Sequence, residues 1–219
     1  MKKLCIFDFD GTLFDSIEDV VICFNNTLSE YDFPTLTRDE YIPCLGGNID
    51  DIVSKVLGEN ATPKNIEIIK KHYLDSYDQS KKEKTIPFPE SNELLRNLQD
   101  NGILLAINSN RLTYSLNEFV SKYFSYIDFV LIEGHNVNCP SKPDPFGVNN
   151  ILNKANVSPD EAVYIGDSIT DIKTAENAGI DCIVVKWGYG DENTFNHEYP
   201  LKVISEFSQL YDVLGINYF

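Results

Sequence analysis

The chain has 219 residues, 42% of them hydrophobic, and 34 acidic against 18 basic side chains give it a net charge of −16. That is enough apolar material for one α/β domain with a smaller insert, while the negative field excludes nucleic acid and anionic membranes as partners. The five cysteines, 5, 23, 44, 139 and 182, form no CxxC pair, which excludes a zinc or disulfide framework and suits a reducing cytoplasm.

The first predicted strand, 3–7, is an apolar run that stops at Asp8, Asp10 and Asp15 in "CIFDFDGTLFDS". Too few apolar residues follow Met1-Lys2-Lys3 for a signal peptide, and "ILLAI" at 103–107 is too short to span a membrane. A cytoplasmic monomer or homodimer is expected. Alternation along a strand would put Asp8 and Asp10 on one face. Two carboxylates that close need a cation between them, or one keeps its proton.

From Ser16 to Lys84 the pattern is helical throughout. Ile17, Val20, Val21, Phe24 and Leu28 repeat at helical spacing behind Ser16 as N-cap. "TRDE" at 37–40 reads as a capping box. Ile49, Ile52, Val53, Val56 and Leu57 form a stripe closed by Gly58, and Thr62-Pro63 opens a fourth helix carrying Ile66, Ile69, Tyr73, Leu74 and Tyr77. "SKKEK" at 80–84, followed by Pro87 and Pro89, reads as a linker. The expected organisation is a core of residues 1–14 and 85–219 with a helical unit, 15–84, inserted after the first strand.

Beyond the insert, apolar runs at 103–107, 127–132, 162–165 and 181–185 lack strict alternation, as do strands buried on both faces of a parallel sheet. Helical patterns separate them: Leu94, Leu95 and Leu98 before Gly102; Ile151 and Leu152 after Pro145; Ile172 and Ala175 before Gly179. The alternation predicts an α/β fold, a doubly wound, Rossmann-like parallel-sheet core with a small all-helical second domain.

Ligands of such sheets bind beyond the carboxyl ends of the strands. Those ends carry Asp8-Phe9-Asp10-Gly11-Thr12, then Asn108-Ser109-Asn110-Arg111, then Ser141-Lys142-Pro143-Asp144, then Gly166-Asp167-Ser168 with Asp171 four residues on. Each has an ordinary reading by itself. Asp10-Gly11 is turn chemistry, Ser109-Asn110 a helix cap, Lys142 a solvated lysine, and Asp167 with Asp171 complements a helix dipole. An EF-hand does not fit, because Gly11 stands fourth from Asp8 where that loop needs glycine sixth. Together, carboxylates without histidine or cysteine suit Mg²⁺, and a lysine, a hydroxyl and backbone N–H groups beside it suit a phosphate.

The four segments resemble the haloacid dehalogenase superfamily in its phosphatase branch. "DFDGTLFDS" is similar to the family's first motif, Ser109-Asn110 to the second, Lys142 in "KPDP" to the third and "GDSITD" to the fourth; "AENAGIDCIVVKWGYG" resembles the segment that follows. The helical insert is similar to the cap of phosphoglycolate-phosphatase-like members. The resemblance implies Asp8 as nucleophile, Asp10 as general acid and base, and Gly11, Thr12, Ser109, Asn110 and Lys142 around the substrate's phosphoryl group. It implies Mg²⁺ on the Asp8 carboxylate, the Asp10 backbone carbonyl and Asp167, with Asp171 outside the ligand set, orienting a metal-bound water or Lys142. The activity implied is Mg²⁺-dependent hydrolysis of a small phosphorylated metabolite, phosphoglycolate among the candidates, through an aspartyl-phosphate. A sugar-phosphate mutase or phosphotransferase of the same fold, and a non-catalytic sensor, are the alternatives. No GxGxxG follows the first strand, which argues against a dinucleotide. The chain departs from the family pattern at Asn108, usually apolar, and at Arg111, commonly lysine. In the insert, Gly46-Gly47-Asn48 resembles the loop that reads the leaving group, and Arg38 and Lys55 are the basic residues considered for that role.

Overall fold

The computed structural model describes residues 2–136 and 139–216; residues 1 and 217–219, the ends of the predicted core, lie outside that range. Two compact units result, Met1–Phe14 with Pro87–Phe219, and Asp15–Ile86. Strand β1 (Leu4–Phe7) opens the first unit; β2 (Phe14–Asp15) leads the chain out and β3 (Ile86–Pro87) leads it back, and these two short strands pair with each other.

The second unit consists of α1 (Ile17–Glu30), α2 (Arg38–Tyr41), α3 (Ile49–Leu57) and α4 (Pro63–Gln79) with short 3₁₀ turns. Its starts follow the sequence signals. Glu40 Oε2 accepts the Thr37 N–H at 2.7 Å, Asn48 caps α3 through the Asp51 N–H, and Thr62 caps α4 through the Asn65 N–H. Ser16 stands at the N-cap of α1 but makes no side-chain capping bond. The unit's core stacks Phe24 on Tyr73 with centroids 3.7 Å apart. Buried Asp19 accepts from the Thr85 N–H and hydroxyl at 2.6 and 2.7 Å, tying the end of the unit to α1. Arg38 pairs with Glu18 at 3.2 Å and, like Lys55, is exposed.

The first unit continues through α5 (Ser91–Asp100), β4 (Leu104–Leu112), α6 (Thr113–Tyr123), β5 (Phe129–His135), α7 (Phe146–Ala155), β6 (Ala162–Gly166), α8 (Ile169–Ala178), β7 (Asp181–Val185), α9 (Glu192–Phe195), β8 (Lys202–Ile204) and α10 (Ser208–Leu214). Six parallel strands run in the order β5-β4-β1-β6-β7-β8. Counted along the unit this is the doubly wound 3-2-1-4-5-6 arrangement, whose switch point lies between β1 and β6. Alternate side chains serve two cores. Cys5, Phe7, Leu105 and Ile165 pack toward Leu94, Phe119 and Leu210, while Leu4, Ile6, Ala106 and Tyr164 pack toward Val148, Ile151 and Ile172. Among the described residues, no helix is long and apolar enough to cross a membrane.

Candidate active site

Register brings the chemistry together. Phe7 stands level with Ile107 on β4 and Ile165 on β6, so the residues that follow, Asp8, Asn108 and Gly166, lie side by side where β1 ends. Asp8 continues the alternation of Leu4 and Ile6 onto the α7/α8 face, and its N–H still donates to Ile165 O at 2.9 Å. One carboxylate oxygen each from Asp8, Asp167 and Asp171 lies within 4.8 Å of the others, all three residues being buried.

Lys142 enters this cluster from the segment before α7. Its ammonium lies 2.8 Å from Asp8 Oδ1 and 2.7 Å from Asp171 Oδ1, and it donates to the Tyr164 hydroxyl at 3.3 Å. Burial alone would strip the proton from such an amine, but Asp171 and Asp8 outweigh it and hold the lysine well above its ordinary pKa. Asp171 is fully engaged elsewhere. Its Oδ2 accepts from the Ser168 hydroxyl at 2.6 Å, the Ser168 N–H at 3.0 Å and the Asp167 N–H at 3.2 Å, a capping box at the start of α8.

Fully ionised, three carboxylates against one ammonium would leave two negative charges in a buried place. The carboxyls register the strain. Burial pushes Asp8 up to about 7 against the pull of Lys142, with Asp171 and Asp10 adding repulsion. Asp167 is held well above the usual carboxylate range by burial, then by Asp171 and Asp8. With Asp171 engaged by its capping bonds and Lys142, Asp8 and Asp167 are the oxygen donors that a divalent ion would meet. Two hard oxygen ligands and a surplus of two charges fit Mg²⁺.

The turn after β1 is built to approach Asp167. Leu13 and Phe14 both donate to Phe9 O at 3.1 and 2.9 Å, and the Phe9 and Phe14 rings stack 4.2 Å apart. Gly11 sits at φ +78°, where a Cβ would run into the Asp167 carboxylate; the same is true at Gly188. Tyr189, next along, donates its N–H to Asp167 Oδ2 at 2.6 Å.

Several predicted residues stand differently from a simple phosphate cradle. Asp10 lies three residues beyond the end of β1, and Arg111 Nε and Nη2 reach its Oδ2 and Oδ1 at 3.1 and 2.5 Å. The Gly11 N–H is engaged within the turn, donating to Phe14 O at 2.9 Å, and the Thr12 N–H makes a long 3.4 Å bond to Phe9 O. Thr12 is buried, and among the described residues its hydroxyl has no hydrogen-bond partner. Asn110 faces the main chain of Lys142, accepting from its N–H at 2.7 Å and donating to its carbonyl at 3.2 Å. Ser109, buried beside them, accepts the Arg111 N–H at 3.2 Å.

The sequence profile of the haloacid dehalogenase-like hydrolases matches residues 5–185. The chain belongs to that family. This haloacid dehalogenase-like chain is 29% identical over 217 residues to a phosphoglycolate phosphatase of Aquifex aeolicus, covering 96% of this chain and 97% of that one. It is also 29% identical over 225 residues to a phosphoglycolate phosphatase of Psychrobacter arcticus, covering 97% and 96%. Among solved structures, a Bacteroides fragilis protein classed as haloacid dehalogenase-like is similar with a TM-score of 0.87 at 28% identity, over 96% of this chain and 100% of that one.

Tyr164 is the site residue that the family segments do not contain. It reads as one more apolar side chain in "AVYIG", yet its hydroxyl links Lys142 to the Asn108 carbonyl, to which it donates at 2.8 Å. A tyrosine in the middle of a buried strand needs a partner for its hydroxyl, and that need is the signal it offers.

Proposed function

We propose that this family member is a Mg²⁺-dependent phosphomonoester hydrolase acting on a small phosphorylated metabolite through an aspartyl-phosphate on Asp8. The enzyme is a phosphatase, and the single observation that carries the finer reading is the Lys142 ammonium shared between Asp8 and Asp171 at 2.8 and 2.7 Å. A nucleophilic carboxylate beside a fixed cation is suited to receive a dianionic phosphoryl group.

In the first half-reaction Asp8 attacks phosphorus, the ester P–O bond breaks, and Asp10 gives a proton to the departing alkoxide. In the second, Asp10 takes a proton from the water that attacks the acyl phosphate, and free phosphate leaves with Asp8 restored. Lys142 and the Ser109 hydroxyl offset charge on the phosphoryl oxygens. Asn110 contributes by holding the Lys142 backbone. Mg²⁺ on the Asp8 carboxylate, the Asp10 carbonyl and Asp167 would neutralise the paired acids and polarise the phosphoryl group. Asp171 orients Lys142. The helical unit, Asp15–Ile86, is assigned the role of a cap that selects the leaving group. The names of the relatives make phosphoglycolate the first substrate to try, and the free cysteines suit a reducing cytoplasm.

Phosphate release from a panel of small phosphate esters, with and without EDTA, tests this. Wild type is expected to turn over at least one ester only with Mg²⁺, and Asp8→Asn none. Equal release by that variant, or full activity in EDTA, would overturn the proposal.

A further inference from the structure

We infer that Arg111 is a positioning residue for Asp10 and sets the enzyme's capacity to expel alkoxide leaving groups that need a proton. The inference rests on the reading of Asp10 as general acid and base given above.

The geometry is a fork rather than a point contact. Nε and Nη2 of Arg111 each take a different oxygen of Asp10, at 3.1 and 2.5 Å, the arrangement in which a guanidinium fixes the plane of a carboxylate. A lysine in this place would supply charge but no plane. The guanidinium is itself held. It lies 5.1 Å from the Phe9 ring centroid and 5.5 Å from that of Phe119, with Nη1 at 3.5 Å from the Ser115 hydroxyl. Its side chain is 8% exposed against 31% for Asp10, so the fork is anchored in the protein and the carboxylate is offered outward.

Asp10 needs such a hold. It follows the last paired residue of β1 by three positions, inside a turn, so sheet register does not aim it. Proton transfer demands a donor held within hydrogen-bond reach of the leaving oxygen, and Arg111 supplies that constraint from the segment carrying Ser109.

The consequence is readable in leaving-group dependence. Alkoxide departure from an alkyl phosphate needs the proton of Asp10; nitrophenolate departure from an aryl phosphate hardly does. We would measure kcat/KM on β-glycerol phosphate and on p-nitrophenyl phosphate, with saturating Mg²⁺, for wild type, Arg111→Met, Arg111→Lys, Asp10→Asn and the Asp10→Asn/Arg111→Met double variant. Arg111→Met should lower the alkyl-to-aryl ratio by about tenfold or more, a share of the usual acid–base contribution. Arg111→Lys should lower it less, and Arg111→Met should add nothing in the Asp10→Asn background. If the Met variant does not fold, the Lys variant alone must still lower the ratio. Equal losses on both esters, or an undiminished effect of Arg111→Met without Asp10, would overturn the inference while leaving the acid assignment intact. An unchanged ratio in Asp10→Asn would overturn the acid assignment itself, and the inference with it.

Discussion

Replacing Asp171 by alanine tests whether the site is a buried charge network. The native carboxylate is fully buried and receives Lys142 Nζ at 2.7 Å, the Ser168 hydroxyl at 2.6 Å, and two main-chain N–H groups at 3.0 and 3.2 Å. Removing one partner of a buried ion pair costs about 3–5 kcal/mol. The lost N-cap interactions are part of that cost and do not double it. Relief works the other way, because Asp171 repels Asp8 and Asp167. Without Mg²⁺ this relief offsets part of the loss, so about 3 kcal/mol is expected in EDTA. With the ion bound the surplus charge is already neutralised, and the loss should approach about 5 kcal/mol. Urea unfolding followed by circular dichroism reads both values. Asp50→Ala is the control, since its pair with Lys70 at 2.7 Å is largely exposed and is worth less than about 1 kcal/mol. A loss for Asp171→Ala no larger than for this control would refute the reasoning.

Other outcomes follow from the same contacts. In metal-free protein, Asp8 keeps its proton up to about 7 and Asp167 is raised as well, so the folded state binds more protons than the unfolded one between about pH 4 and 7. Stability should therefore fall as pH rises through that window and Mg²⁺ should flatten the decline, as thermal unfolding at about pH 5 and about pH 8 would record; a rise toward about pH 8 without metal would contradict it. Gly11→Ala meets both a positive φ and the Asp167 carboxylate; it should cost about 2 kcal/mol in stability and weaken Mg²⁺ binding by calorimetry. Asn110→Ala removes two bonds to the Lys142 main chain. It should lower stability by about 2 kcal/mol and lower kcat more than it raises KM.

Much of the fold was legible because buried strands leave continuous apolar runs. The runs at 162–165 and 181–185 correspond to Ala162–Gly166 and Asp181–Val185 with at most one residue's difference. The run at 103–107 underestimates β4, which continues to Leu112 through polar residues. Those residues pair with β5 across an irregular register, and tertiary pairing of this kind has no apolar signature. Strand β8, Lys202–Ile204, was missed because three residues after a proline carry no periodicity. At the site, the acids and the lysine were singled out by their common place beyond the predicted strand ends. The partners that orient them were hidden, since Arg111 and Tyr164 reach Asp10 and Lys142 over long sequence separations.

The central claim is that Asp8 carries the phosphoryl group. The most direct measurement mixes the Mg²⁺-loaded enzyme with a radiolabelled phosphate ester, quenches in acid within the first turnover and maps the label to a peptide. The account predicts label on the peptide containing Asp8, released by hydroxylamine as expected of an acyl phosphate and absent from Asp8→Asn. Label on a serine or histidine peptide, or labelling that survives in Asp8→Asn, would contradict it.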